Sequence, residues 1–309
     1  MTLSLGQERR DPKEINVGAD VFLVTFLANG ELVLSVSEDR IQVWRVEDGK
    51  QMARMKIRRA TDCCSLAVSK DSKWIAVGTH QGDVCMWSAN TYKQVFVLED
   101  YFVDILALDF SPDSTQLVSV SENFTVTVWD IATRKQVHAL HHRESVRAAK
   151  YSPQGDRIAI ATEDSIRVHD SNDGSSLVDI KVTVTLLNEL LWSNNYLFVV
   201  SDSKIKQFEA STGSVISEWP LPDTASAQRI AIPKHGEFIA YSVGRTVTCW
   251  DTSTHAQLGL IQYSQDIFSI AVTPDDKFIA VCGKAGKFSF ESLSPITVSN
   301  AYRWIRLSA

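Results

Sequence analysis

No stretch of this 309-residue chain reaches the roughly 20 consecutive apolar residues that a membrane-spanning helix needs. Its first residues, MTLSLGQERRDPKE, lack an apolar core and turn charged early, so no secretory signal is read there and the cytosol is the expected compartment. Cysteine is sparse: Cys63, Cys64, Cys85, Cys249 and Cys282 are odd in number and show no C-x-x-C spacing, which points to buried free thiols rather than a disulfide framework or a zinc site. Neither sign of charge dominates. With 31 Lys and Arg against 37 Asp and Glu the net charge is −6, and overall electrostatics do not favour nucleic acid. The motifs G-x-S-x-G, H-E-x-x-H and G-x-G-x-x-G are missing. The nearest approach to a phosphate loop, Val281-Cys-Gly-Lys-Ala-Gly-Lys287, has the wrong spacing and runs into Phe288 where Ser or Thr is required, so it reads as a turn. His141 and His142 are adjacent, which on an extended segment sends them to opposite faces, and no third ligand lies nearby in sequence. Asn123-Phe124-Thr125 fits the glycosylation pattern but reads as an ordinary turn without a secretory signal. No catalytic group, metal or cofactor is expected.

What the chain has is repetition. An apolar pair of short strands, a polar turn and a third strand recur seven times, ending at Trp44, Trp87, Trp129, His169, Phe208, Trp250 and Phe290, with gaps of 43, 42, 40, 39, 42 and 40 residues. A period of roughly 40 to 45 residues with a terminal Trp-Asp marks a propeller blade of four strands. The second strand of each unit is short, apolar on both faces and rich in branched residues, as in Leu32–Ser37, Trp74–Thr79 and Phe278–Cys282. A strand packed between neighbouring blades needs that pattern. Turn chemistry precedes each one, including Asn29-Gly30, Pro112-Asp113, Pro153-Gln154-Gly155 and Pro274-Asp275-Asp276.

The expected fold is all-β: a single seven-bladed propeller of four-stranded antiparallel blades. Blades are placed at about 20–57, 61–99, 103–141, 145–182, 185–220, 226–262 and 266–299, with a tail at 300–309. Six outer strands are clear in the sequence. For the seventh, either the local run 296–298 or the N-terminal run Lys13–Val17 would serve. A ring must close, because an open blade exposes unpaired edges and an apolar face. Residues 12–18 are therefore expected to supply the outer strand of the last blade.

With Trp129-Asp130 and Trp250-Asp251 in place, the chain resembles the WD-repeat (WD40) β-propeller family over essentially its whole length. The runs Trp44-Arg-Val-Glu-Asp-Gly-Lys50, Asp109-Phe-Ser-Pro-Asp-Ser-Thr115 and Lys150–Ile158 also resemble the C-terminal propeller of fungal (basidiomycete) NACHT-type signalling ATPases. That resemblance implies the sensor part of a larger, innate-immunity receptor. The family's blades hold a buried network of a turn Asp, a His before the first strand, a Ser or Thr, and the Trp. Carried over, it implies a structural set of His142 with Asp164 or Glu163, His169 in the Trp position of blade 4, and Trp129 and Trp250 in blades 3 and 6. Blades 1 and 5 keep Asp39 and Asp202 without a matching His.

Function is then expected in the loops: a non-enzymatic, monomeric propeller that binds a protein partner or a non-self ligand through one face, with no nucleic acid and no membrane. Tyr101, Phe102 and Phe124 stand out as aromatics where turns are ordinarily polar, and such residues anchor interfaces. The competing reading has Phe102 packing beneath its own loop and Phe124 filling space beside blade 2. Arg58 and Arg59, after Arg54 and Lys56, form a local basic cluster that is a candidate for partner binding, against the reading of a solvated loop that the negative chain and the few charges favour. Two rival functions are an enzyme or small-molecule binder using the central channel, and a scaffold subunit of a multiprotein complex.

Overall fold

The computed structural model describes residues 13–37, 40–57, 63–99, 103–182, 187–201, 204–220, 229–233, 236–293 and 305–306. Seven antiparallel sheets form the blades of a propeller, each running from an inner strand a to an outer strand d. Blade 1 takes Leu23–Phe26, Leu32–Ser37, Arg40–Arg45 and Gln51–Lys56; blade 2 takes Cys63–Val68, Trp74–Thr79, Asp83–Ser88 and Gln94–Glu99. Blade 3 takes Ile105–Phe110, Gln116–Ser121, Thr125–Asp130 and Lys135–His141; blade 4 takes Val146–Tyr151, Arg157–Thr162, Ser165–Asp170 and Ser176–Lys181. Blade 5 takes Leu187–Ser193, Tyr196–Ser201, Lys204–Glu209 and Val215–Pro220; blade 6 takes Arg229–Ala231, Phe238–Val243, Thr246–Asp251 and Gln257–Gln262. Blade 7 takes Ile267–Val272, Phe278–Gly283 and Lys287–Ser292. Its outer strand is Lys13–Asn16, which pairs Lys13 with Phe290 and Asn16 with Lys287. The ring closes through its N-terminal strand, as the edge argument requires. One feature lies outside expectation: Ile305–Arg306 adds a fifth, parallel strand to blade 6.

Apolar burial sits between blades rather than within them. Seven separate clusters form, one at each junction: Leu34, Val36 and Ile41 of blade 1 meet Ile75, Val77 and Trp87 of blade 2, and equivalent sets fill the other six. The second strands are buried on both faces, Val33, Leu34 and Val36 being fully enclosed, which is why they read as unbroken apolar runs.

Register explains where the irregularities fall. Strands b and c pair without interruption in every blade. All bulges lie on the sheet margins. Between c and d, blades 1 to 6 each slip by one residue, at Met52, Val95, Val137, Leu177, Ile216 and Leu258. Between a and b, blades 2, 3, 4, 5 and 7 slip at Cys64, Leu106, Arg147, Asn188 and Phe268. A bulge bends the strand and spoils it as a template for another chain.

The polar partners of the repeated Trp vary with the residue on strand b. Trp44 and Trp129 donate their indole N–H to Ser35 and Ser119, each at 2.9 Å, and Trp250 reaches the Tyr241 hydroxyl at 3.2 Å. In blade 2 the same strand-b position is Val77, and the buried Trp87 Nε1 has no partner among the described residues. Blade 5 solves the problem differently, setting Phe208 against Val199, with no polar atom on either. Blade 7 corrects the sequence reading. Ile279, equivalent to the strand-b residues that face Trp44 and Trp129, pairs with Glu291, so Phe290 is one residue out of place and points into the blade 7 to blade 1 junction.

The expected His142–Asp164 pair is not formed either. His142 Nδ1 faces the Arg167 guanidinium at 3.3 Å, while Asp164 accepts from the Thr162 hydroxyl at 3.3 Å and lies 3.8 Å from Lys181. Glu163 turns to Arg147 at 3.6 Å. Arg167 stands on strand c beside His142, whereas both carboxylates sit on an exposed turn where water solvates them better. His169 packs edge-on to His142, with ring centroids 6.1 Å apart, and its Nδ1 lies 3.0 Å from the Gly174 carbonyl. Arginine only donates, so His142 Nδ1 must accept and the ring is neutral. Burial and the Arg167 charge push its pKa down to about 4.

Candidate interaction surface at one end of the ring

Antiparallel pairing brings the end of strand b and the start of strand a to the same end of each blade, as in Ile105 opposite Ser121. The b–c turns and the strand-a bulges therefore share one rim around the channel. Bulging re-aims a side chain, and here it delivers one residue per blade: Leu106, Arg147 and Phe268 among those whose side chains are described, with Phe22 just ahead of strand a in blade 1. Phe22 and Phe268 stack, with centroids 5.8 Å apart and rings 13° from parallel, and Phe22 remains 37% exposed. Periodicity alone could not reveal this pair, because a bulge changes the pointing of one residue without changing the repeat.

Charged pairs fix the rim. His80 on the b–c turn of blade 2 meets Asp104 of blade 3 at 2.6 Å, and Arg245 on that of blade 6 meets Asp266 of blade 7 at 3.2 Å. Each joins a turn to the strand-a entry of the next blade. Deeper along the inner strands, Asp109 accepts the Tyr151 N–H at 2.9 Å and lies 3.3 Å from Lys150. Glu189 accepts the Ile230 N–H at 2.6 Å. Burial raises the Glu189 pKa, opposed by the charge of Arg229, the Ile230 N–H and Lys150. The inner strands of blades 3 to 6 thus carry alternating acid and base, Asp109, Lys150, Glu189 and Arg229, which staple one blade to the next.

Phe124 occupies the b–c turn of blade 3, closed by its N–H to the Ser121 carbonyl at 3.1 Å. The equivalent turn of blade 2 closes from Gly82 to Thr79 at 3.2 Å. Both residues adopt left-handed backbone, Gly82 at φ +86° and Phe124 at φ +69°. Glycine takes that conformation freely; a bulky aromatic does so against sterics. Phe124 is 39% exposed. Tyr101, Phe102, Arg58 and Arg59 lie outside the described residues, as do Asp39 and Asp202. Among the described residues, no three His, Cys, Asp or Glu side chains gather as a metal ion would need. The described thiols are buried: burial pushes Cys85 up to about 11 and Cys249 up to about 12, which keeps them protonated and unreactive.

Residues 55–88 and 92–130 match the family described as WD domain, G-beta repeat. Each matched segment begins near an outer strand and continues through strands a to c of the next blade. This stagger is what leaves the last blade to be completed by the N-terminal strand. WD repeat-containing protein SL1-17 of Schistosoma mansoni is 30% identical over 162 residues, 51% of this chain and 53% of that protein. Pre-mRNA-processing factor 19 homolog 2 of Arabidopsis thaliana is 25% identical over 229 residues, 71% of this chain and 43% of that protein. The chain spans about half the length of these curated relatives. Among solved structures, the Cps50 (Swd1) β-propeller domain of Myceliophteria thermophila superposes with a TM-score of 0.83 at 15% identity, covering 92% of this chain and all of that one. That likeness concerns the fold.

Proposed function

We propose that this seven-bladed propeller, two segments of which match the WD domain, G-beta repeat family, is a non-enzymatic WD-repeat interaction scaffold that binds a protein partner on the rim formed by the b–c turns and strand-a bulges. The observation that carries this reading is Phe124: a turn that blade 2 builds with glycine holds, in blade 3, a partly exposed aromatic in left-handed backbone. Such strain persists where the side chain is used. The stacked, partly exposed Phe22 and Phe268 supply a second apolar element on the same end of the ring. Aromatics ringed by charged pairs are the composition of interface anchors.

A finer form of this reading, the sensor module of a larger NACHT-type receptor, is supported by the runs Trp44–Lys50, Asp109–Thr115 and Lys150–Ile158. Rim binding is tested by affinity capture with the wild type, Phe124→Gly and Phe22→Ser, followed by quantitative mass spectrometry. A specific partner set that falls at least tenfold with either substitution is expected. Equal recovery from all three proteins would remove the rim as the binding face.

A further inference from the structure

Two phenylalanines stand outside a seam that is already closed. Val21 and Ile267, one residue before Phe22 and Phe268, are fully buried where blade 7 meets blade 1. Phe22, by contrast, is 37% exposed and Phe268 is half-buried. An aromatic pair left in contact at the surface, beyond what packing needs, is a feature that partners cover. Phe268 is also held from the channel side, because Arg229 on the inner strand of blade 6 donates from Nε to its carbonyl at 3.1 Å. The pair is therefore in place before a partner arrives, which spares the cost of ordering it on binding.

The turn above the pair supplies a charge. Gly283 pairs with Ile267 and its carbonyl accepts the Val21 N–H at 3.3 Å, so the next residue, Lys284, stands between the two strand-a entries that carry the rings. One blade earlier, the Ile267 N–H bonds the Gly244 carbonyl in the same way, at 2.8 Å. Arg245 with Asp266 is thus the equivalent of Lys284 with Asp20. Arg245 and Asp266 pair at 3.2 Å. Asp20 is engaged otherwise, and among the described residues no carboxylate pairs with the exposed Lys284. A cation that blade 6 neutralises is left open in blade 7, beside two exposed rings.

We propose that the seam between blades 7 and 1 takes an extended acidic segment of a partner protein, a large apolar side chain lying on Phe22 and Phe268 while a neighbouring Asp or Glu pairs with Lys284. Resting on the rim as the binding face, the seam adds the chemistry of the partner. An apolar anchor beside a single open charge selects among partners, because a segment of the wrong sign is repelled at the same place. The ion pair is exposed to solvent, so its contribution falls as salt rises.

The test selects a phage-displayed library of random dodecapeptides on the full wild-type chain and, in parallel, on Lys284→Glu. The wild type should enrich aromatic or large aliphatic residues next to Asp or Glu. Synthetic peptides from that pool should bind Lys284→Glu and Phe22→Ser at least tenfold more weakly, and should lose affinity as salt is raised. Lys284 is exposed, so its replacement leaves the fold intact, and Lys284→Glu should instead enrich Lys or Arg beside the same apolar residues. An empty selection, wild-type peptides without acidic residues, or peptides that bind all three chains equally would overturn the proposal. So would a wild-type chain that dimerises in sedimentation while Lys284→Glu stays monomeric, since the occupant would then be a second copy. Phe124 lies on blade 3, between strands b and c. A partner whose capture falls with Phe124→Gly, while the selected peptides ignore Phe22 and Lys284, leaves the rim standing and removes the seam.

Discussion

Replacing Phe124 by alanine and by glycine separates two contributions that a single substitution would confound. At φ +69° a residue with a Cβ sits in left-handed backbone, at a cost of about 1–2 kcal/mol. Phe124 is 39% exposed, so somewhat more than half of the residue is withdrawn from water. Full burial of such a side chain is worth about 1.5–3 kcal/mol, which makes the ring's packing worth about 1–2 kcal/mol here. Alanine keeps the strain and loses the packing, so Phe124→Ala should destabilise by about 1–2 kcal/mol. Glycine loses the same packing but relieves the strain, less about 0.5–1 kcal/mol for its freer unfolded chain. Phe124→Gly should fall within about 1 kcal/mol of the wild type and lie about 1 kcal/mol above Phe124→Ala. Urea unfolding followed by tryptophan fluorescence reads this directly. With a slope of about 1–3 kcal/mol/M, the two variants should differ in midpoint by about 0.3–1 M. Equal midpoints, or glycine below alanine, would refute the claim that this turn is strained. A glycine variant as stable as the wild type that nevertheless loses its partner cannot be explained by misfolding.

Ser119→Ala should cost about 1–3 kcal/mol by stranding the buried Trp129 indole N–H. The pair Ser119→Ala/Trp129→Phe imitates blade 5 and should cost about 1 kcal/mol less than the sum of the single variants in a double-mutant cycle; strict additivity would argue against the bond. Gly78→Ala should destabilise by about 1–3 kcal/mol or more, because the added Cβ would fall 2.6 Å from Ile105 Cγ2 and onto the Ser65 hydroxyl at the blade 2 to blade 3 junction, and an unchanged melting temperature would disprove that packing. For His142 the folded pKa of about 4 lies below the unfolded value near 6.5, so the unfolded chain binds more protons in that interval and stability falls as pH drops from about 6.5 to 4. Allowing for partial solvent screening, about 1–2 kcal/mol should be lost across the window, and His142→Gln should flatten that part of the stability profile in denaturant melts run from pH 7.5 to 4.5.

The blade count, turn chemistry and closing strand were legible because each depends on spacing and local residue preference. Deep burial on both faces forces apolar runs in strand b, and an open edge in blade 7 leaves the N-terminal strand to cover it. The candidate surface was harder to read. Phe124 was visible as an aromatic in a turn, but its left-handed backbone emerged only beside Gly82. Phe22 and Phe268 belong to different ends of the sequence and meet only when the ring closes. His142 found Arg167 rather than a carboxylate because competing partners across a sheet are decided by reach and solvation, which residue type alone does not specify. Repeat spacing alone puts Phe290 in the Trp position of blade 7, but the pairing of strands b and c gives that position to Glu291.

Closure by the N-terminal strand also sets a schedule for biosynthesis. Asn16 pairs with Lys287, so 271 positions of sequence separate the two halves of that ladder. At synthesis rates of about 5–20 residues per second, the first strand waits on the order of 14–54 s before its partner is made. For that time blade 1 has no neighbour across Val24, Phe26, Val33 and Trp44, the apolar surface that blade 7 eventually covers. The nascent ring is an open arc with one sticky end, and the strands of blade 7 relieve the exposure left on blade 1.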